Sequence, residues 1–388
     1  MRLKKTLKWL KKLVSRHKLN FIDLELGKIK QYNLYRKLRY GKVENSHITI
    51  NGKKLLNLCS NDYLGIPTTK IEFKQLQSSS RLISGNDESY KKLEDLLAKH
   101  KSKQNSLIYP TGYMANLGTI SSIAKKGDLI LSDELNHASI IESCKLSDAK
   151  VLIYRHNDMQ ELQKKLKQKG KNKIIITEGI FSMDGDFSYL KQITEISEKA
   201  NAITIVDDAH GDFVVGKDGK GTPNYFNVAK KIDLYISSLS KGLGSFGGYV
   251  ASQNNVINLC INKSKSFIYT SALPSFLIEY SLKRIESNRD KQKKKLEKNT
   301  KQLSQGLKQI GYEINSKTHI IPIIIGSEKS AMTFGKFLFN NGVFVQPIRF
   351  PTVPKNQARL RISVTAWLSN EDIEKTLEIF EKAYTKFG

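Results

Sequence analysis

Seven short runs of β-branched and aliphatic residues, alternating with helical patterns between positions 105 and 251, constrain this chain to a mainly parallel α/β sheet. The runs cover residues 106–109, 129–132, 151–154, 174–177, 203–206, 234–237 and 249–251. Ile174-Ile175-Ile176 is apolar without alternation, the pattern of a strand covered on both faces. Between the runs, Asp158 followed by Glu161 has the spacing of a capping box, and Leu190–Ala200 reads as an amphipathic helix. Beyond them, residues 283–307 read as one long polar helix leading to a second unit. That unit contains a strand over 320–325, a helix over 330–340, strand-like stretches over 343–348 and 360–364, and a last helix opening at Ser369. Asp372 follows three residues later, flanked by Leu368 and Ile373 as a hydrophobic staple. The expected organisation is an N-terminal helix and arm over 1–50, a large domain over 51–285 and a small α+β domain over 286–388.

The strand ends carry the chemistry. Run 203–206 leads into Asp207-Asp208-Ala209-His210, and run 234–237 into Ser238-Leu239-Ser240-Lys241-Gly242-Leu243-Gly244. A lysine at the mouth of a sheet, with an aspartate and a histidine at neighbouring strand ends, is what a pyridoxal-phosphate enzyme needs. The amine holds the aldehyde as a Schiff base, and the carboxylate keeps the pyridine nitrogen protonated so that the ring absorbs carbanion charge. Paired aspartates after a strand can also end it or bind a metal, but a carboxylate against a protonated pyridine is favoured electrostatically. Asp208 is expected to face away from Asp207, since adjacent strand residues alternate. Thr111-Gly112-Tyr113 follows a strand and opens a helix; such a start is often only a cap, and its free amides also suit a phosphate.

Composition narrows the partners. Lys and Arg number 64 against 37 Asp and Glu, a formal charge of +27. The lysines are spread along the whole chain with no aromatic-basic motif, so no nucleic-acid partner is expected, whereas a polyanionic substrate would gain from the field. Cys59, Cys144 and Cys260 are odd in number and lack Cys-x-x-Cys spacing, the pattern of reduced thiols in a cytoplasmic protein. Residues 1–18 hold eight Lys/Arg and no acid, with Leu3, Leu7, Leu10 and Val14 on one helical stripe. Such a helix packs on protein or lies on a membrane surface. No run approaches the roughly 18 apolar residues of a spanning helix, and no metal site is expected.

From about Leu34 onward the chain resembles the α-oxoamine synthases, pyridoxal-phosphate enzymes of the aspartate-aminotransferase fold (fold type I). The resemblance rests on Cys59-Ser-Asn-Asp-Tyr-Leu-Gly65, Thr111-Gly-Tyr-Met-Ala-Asn116, Asn136-His-Ala-Ser139, Thr177-Glu-Gly-Ile-Phe-Ser-Met-Asp-Gly-Asp186, Val206-Asp-Asp-Ala-His-Gly211, Ser240-Lys-Gly242, Tyr269-Thr-Ser271 and Ile348-Arg-Phe-Pro-Thr-Val-Pro354. It implies a seven-stranded large domain binding pyridoxal 5'-phosphate, with Lys241, His137, Asp207 and His210 as catalytic groups. Gly112, Tyr113, Ser182, Ser238 and Thr270 join them around the cofactor, His137 stacking on the ring and Ser182 and His210 near its phenolate oxygen. Asn61, Arg349 and Arg361 are implied at the substrate, Arg361 as a carboxylate clamp.

The resemblance also implies a homodimer with shared active sites, Thr270 reaching the phosphate of the second subunit. The implied reaction joins an amino acid to an acyl thioester, on coenzyme A or acyl carrier protein, with loss of carbon dioxide. Ile348 to Pro354 favours the branch that uses alanine and a pimeloyl thioester for biotin. Glycine C-acetyltransferase, serine palmitoyltransferase and a catalytically silent subunit remain alternatives. Two departures stand out: serines at 78–80 where the family is glycine-rich, and Tyr90 in place of a histidine.

Overall fold

The computed structural model describes residues 18–67, 70–73, 75 and 78–387. Most of the basic segment 1–18 and Gln77, beside the serine run, lie outside them. Each of the seven apolar runs forms a strand: β4 (Asn105–Tyr109), β5 (Leu129–Asp133), β6 (Lys150–Tyr154), β7 (Lys173–Glu178), β8 (Ile203–Asp207), β9 (Leu234–Ser238) and β10 (Gly248–Ser252). They make one sheet of order β4-β10-β9-β8-β7-β5-β6. β9, β8, β7, β5 and β6 run parallel, and β10 is antiparallel to both its neighbours. β5, β9 and β10 are buried at every residue, as the unbroken apolar pattern requires. Ile174, Ile176, Ile205 and Ile236 face one layer with Ala115 and Ile120, while Leu129, Leu131 and Ile175 face Ile193 and Ile196 on the other. The helices Met159–Leu166 and Leu190–Ala200 form where the capping spacing and the periodicity placed them, with Asp158 as N-cap accepting from the Glu161 amide at 2.8 Å. Glu161, however, turns to the amide of Arg155 at 2.7 Å and so does not close the box.

The parallel strands all present their carboxyl ends at one edge, which carries Asp133, Glu178, Asp207 and Ser238. Open α/β sheets bind their ligands there.

Two smaller sheets complete the chain. β1 (Gly41–Glu44), β2 (His47–Ile50) and β3 (Lys53–Asn57) form an antiparallel set that the sequence reading did not anticipate, and β3 pairs in parallel with β12 (Val343–Phe344). The other sheet has the order β11-β14-β13, from β11 (Ile320–Gly326), β14 (Ala358–Ser363) and β13 (Pro347–Ile348). The single strand read over 343–348 is therefore two, divided between sheets. Val345 is buried at the crossing, and the amide of Gln346 bonds to Cys59 Sγ at 3.1 Å rather than to a ladder.

The long polar helix read over 283–307 is also two helices, Ser275–Glu286 and Asp290–Ile310. Side chains break it. Arg289 donates to the carbonyls of Arg284, Ile285 and Ser287, Ser287 Oγ donates to the Arg284 carbonyl at 2.8 Å, and Asn288 Oδ1 accepts from the Asp290 amide at 2.9 Å. These bonds satisfy one helix end and open the next, competing with continuous helix. The final helix, Asn370–Phe387, begins as expected: Ser369 Oγ accepts from the Asp372 amide at 3.1 Å and Asp372 returns the bond to the Ser369 amide at 3.0 Å. One core joins Leu56, Leu58 and Tyr63 to Leu338, Leu360, Ile362 and Phe380, so the two ends of the chain fold together. Among the described residues no helix is long and apolar enough to cross a membrane.

Candidate active site

At the carboxyl edge, the turn after β9 carries Lys241 toward the loop after β8. Lys241 Nζ lies 2.9 Å from His210 Nε2. Burial lowers the proton affinity of this amine, while Asp207 and Glu178 partly restore it. His210 Nδ1 is 2.7 Å from the Tyr63 hydroxyl, which lies 3.0 Å from Asn61 Oδ1. Arg361, on β14, closes the set: its guanidinium donates to Tyr63 at 3.3 Å, to Asn61 Oδ1 at 3.3 Å, to Ser363 Oγ at 2.7 Å and to the Ser182 carbonyl at 2.5 Å. Lys241, His210, Asn61, Ser182 and Arg361, drawn from distant parts of the sequence, are thus one hydrogen-bonded group.

Asp207 is near enough to act on the lysine's charge and has its own partners. Its Oδ2 accepts from Asn116 Nδ2 at 2.6 Å and its Oδ1 from the Ala209 amide at 3.0 Å. Asn116 also donates to Ser139 Oγ at 3.0 Å, and that hydroxyl is 2.7 Å from His137 Nδ1. His137 caps the helix Ala138–Leu146, and burial depresses its proton affinity. A neutral ring in this place can lie against a flat partner without a charge clash. Asp208 faces away, as strand alternation requires, to Thr222 and Tyr235.

The helix Gly112–Ile123 opens beside the Lys241 turn. Thr111 Oγ1 accepts from the Met114 amide at 3.1 Å, and the amides of Gly112 and Tyr113 take no acceptor among the described residues. A Cβ on Gly112 would come within 3.0 Å of the Ser238 side chain, so glycine lets the helix end approach Ser238 and Ser240, whose hydroxyls are 2.8 Å apart. Free amides, a positive helix end and two hydroxyls form an anion cradle. Asn116 Oδ1 and Glu178 Oε1 are buried without a partner at the same edge. Burial and the neighbouring Asp207 push the Glu178 carboxyl well above the usual carboxylate range. An amine of low proton affinity, a carboxylate, a neutral imidazole and an anion cradle fit pyridoxal phosphate group by group.

Two predicted residues stand apart. Arg349 donates to the main-chain carbonyls of Asn33 and Tyr35 rather than joining Arg361. Thr270 makes no hydrogen bond to the cradle within the chain, among the described residues. Both departures from the family pattern bear on its segment: the Ser79 carbonyl accepts from the Ala272 amide at 2.9 Å, and Tyr90 donates to the Leu273 carbonyl at 3.0 Å. Tyr63, Asn116 and Glu178 are site residues that sequence reading passed over, although each lies inside a quoted block.

His156 was also passed over. It bridges Asp133 at 3.0 Å and Asp186 at 2.8 Å, and packs edge-on against Phe181 at 4.4 Å, bracing the loop that carries Ser182. Burial alone would lower its pKa, but the hydrogen bonds to Asp133 and Asp186 outweigh it and raise the value to about 10. A pKa raised above the unfolded value of 6.5 gives stability that is full below pH 6.5 and lost as pH rises through about 10. Denaturant midpoints of wild type and His156→Gln are therefore expected to converge between those limits; a gap that is constant with pH would remove the imidazolium from the account.

The family model for aminotransferase class I and II matches residues 53–380, and the chain belongs to that family. It is a pyridoxal-phosphate-dependent transferase of fold type I. Within that class the chain is 41% identical to the 8-amino-7-oxononanoate synthase of Thermoanaerobacter pseudethanolicus, over 94% of this chain and 97% of that one. It is 38% identical to the enzyme of the same name from Alkaliphilus metalliredigens, again over 94% and 97%. Among solved structures it resembles Sphingomonas wittichii serine palmitoyltransferase, with a TM-score of 0.88 at 28% identity over 97% and 99% of the two chains. It also resembles the 8-amino-7-oxononanoate synthase of Francisella tularensis, with a TM-score of 0.74 at 28% identity over 86% and 98%.

Proposed function

We propose that this chain condenses L-alanine with a pimeloyl thioester to give 8-amino-7-oxononanoate, releasing carbon dioxide and the carrier thiol, as a step of biotin biosynthesis. Identity of 38–41% over 94% of the chain supports this reading over serine palmitoyltransferase, to which the backbone is closer, with a TM-score of 0.88 against 0.74, but the sequence only 28% identical. Fold similarity alone does not select a substrate. The observation that carries the chemistry is the hydrogen-bonded line from Lys241 through His210 and Tyr63 to Arg361.

In this reading Lys241 would hold the cofactor through its aldehyde, Asp207 would pair with the ring nitrogen, and His137 would pack on the ring. Gly112, Tyr113 and Ser238 would hold the phosphate, and Ser182 and His210 would serve the phenolate oxygen. When bound, pyridoxal phosphate supplies an electron sink for charge formed at the amino acid's α-carbon. Arg361, with Asn61, grips the amino-acid carboxylate and fixes its orientation. Lys241 Nζ, its proton affinity already reduced by burial, takes the α-proton and later returns one to the same carbon. The acyl group passes from thioester to α-carbon, the thiol departs, and the carboxylate leaves as carbon dioxide. Arg349 is assigned to the substrate as a second arginine.

Thr270 is assigned to the phosphate of a second copy across a homodimer interface, the protein working in the cytoplasm with the thioester on coenzyme A or acyl carrier protein. Turnover with alanine, glycine and serine, each against pimeloyl and palmitoyl thioesters, tests the assignment. Alanine with the pimeloyl donor is expected to exceed every other pair by at least about tenfold, the worth of a methyl group or a hydroxyl in a fitted pocket. Serine with palmitoyl thioester as the sole productive pair would overturn it.

A further inference from the structure

One buried side chain in that hydrogen-bonded line is given no role of its own in the steps above. Tyr63 is fully buried, and its hydroxyl touches three groups: His210 Nδ1 at 2.7 Å, Asn61 Oδ1 at 3.0 Å and Arg361 at 3.3 Å. A phenol has one proton to give. Arg361 can only donate, so that proton goes either to His210 Nδ1 or to Asn61 Oδ1. Among the described residues Tyr63 is the one side-chain partner of Nδ1, while Nε2 faces Lys241. Burial, with Lys241 and Arg361 adding to it, keeps the imidazole neutral, so it carries a single N–H.

Two arrangements follow. If Tyr63 donates to Nδ1, the imidazole hydrogen is on Nε2 and needs the lone pair of the Lys241 nitrogen, which only the unprotonated nitrogen offers. If Tyr63 donates to Asn61, Nδ1–H donates to the phenol oxygen, and Nε2 becomes an acceptor for a Lys241 nitrogen that keeps its proton. The first arrangement excludes an extra proton on Lys241 Nζ, which would have to be released to solvent, and the second admits it, so the second raises the proton affinity of that nitrogen.

We propose that Tyr63 is a positioning residue that couples occupancy of the carboxylate site at Arg361 and Asn61 to the proton affinity of Lys241, by selecting which nitrogen of His210 carries the hydrogen. A carboxylate at Arg361 brings acceptor oxygens to the phenol, draws its proton from Nδ1 and selects the second arrangement. The substrate thereby prepares the lysine nitrogen to leave, because a protonated nitrogen is the better leaving group. The other charged or titratable groups around the pair are Asp207 and Glu178 toward Lys241, His137 and His319 toward His210, and Arg361 toward both. His319 packs edge-on to the Tyr63 ring at 4.0 Å, and burial drives its pKa to about 3, so it stays neutral while Lys241 titrates.

The proposal rests on the assignments of Lys241 and Arg361, and the test separates the two. The pH midpoint of cofactor absorbance is measured in the holoenzyme with and without saturating propionate, which has the carboxylate of alanine and no amine. In wild type propionate is expected to raise the midpoint by about one unit. Tyr63→Phe is expected to keep less than a third of that response, His210→Asn likewise, and the double variant to lose no more than either alone. A Tyr63→Phe response equal to wild type would mean that the carboxylate acts through space, and additive losses would mean that Tyr63 acts by packing; either overturns the coupling. Should Tyr63→Phe fail to hold cofactor, His210→Asn decides: a full response there also overturns it. Coloured wild-type protein indifferent to propionate sinks the coupling alone, whereas colourless protein that borohydride cannot label sinks the assignment of Lys241 with it.

Discussion

Lys241→Ala is expected to lose condensation activity by a factor on the order of 10⁴, the upper range for removing a positioned acid-base group. The size follows from the absence of a substitute. His210 is the nearest nitrogen, but burial keeps its proton affinity well below the imidazole range, and it is committed to Tyr63 at 2.7 Å. The variant should still take up the cofactor through the Gly112 helix end and Asp207, yet borohydride should no longer fix it to the chain. Mass spectrometry of reduced wild type and variant checks this. Covalent label retained in Lys241→Ala would assign the attachment to another lysine and remove the centre of the proposed mechanism.

The second large effect is on stability. Lys101→Met is expected to cost about 3–5 kcal/mol, because it leaves a buried carboxylate without its cation. Lys101 and Asp212 form an ion pair with side chains 3% and 0% exposed, and the ammonium also reaches the Tyr235 hydroxyl at 2.7 Å and the Lys220 carbonyl at 3.0 Å. Asp212 is held further by Tyr249 at 2.5 Å and His100 at 3.1 Å. Burial works against its charge, but Lys101 and His100 more than offset this, and its carboxyl lies below the usual range. The effect extends to the site, since Gly242 packs so closely on the Asp212 carbonyl that a Cβ would collide with it. Urea midpoints of Lys101→Met, Asp212→Asn and the double variant are the measurement. The double should recover much of the loss; single variants within about 1 kcal/mol of wild type would class the pair with exposed ion pairs of little worth.

What could be read from the chain divides by physical distance. The seven strands were legible because burial on both faces writes itself into consecutive residues such as Ile174-Ile175-Ile176. Ser369 and Asp372 were legible because their reciprocal bonds span three residues. Lys241, Asp207, His137 and His210 were legible because each sits at a strand end inside a motif. Tyr63 was not, although it lies in the Cys59 to Gly65 block, because its role comes from His210 and Arg361, far along the chain in either case. The same holds for β12 and β13, read as one strand because their separation depends on β3 and β14 as partners. The break at Ser287 to Arg289 had a local signal, a run of side chains able to bond main-chain groups, which the polar helical pattern concealed.

The pairing of β3 with β12 has a consequence for how the protein is made. Asn61 and Tyr63 leave the ribosome about 300 residues before Arg361, and the strand beside which they are anchored, already paired with β2, finds its second neighbour only when Val343 and Phe344 have followed. At about 5–20 residues per second the first segment waits for tens of seconds with its apolar face uncovered. Leu55, Leu56 and Leu58 are fully or almost fully buried in the finished molecule. In the growing chain Leu56 and Leu58 lack the cover that Leu338, Leu360, Ile362 and Phe380 provide in the finished core.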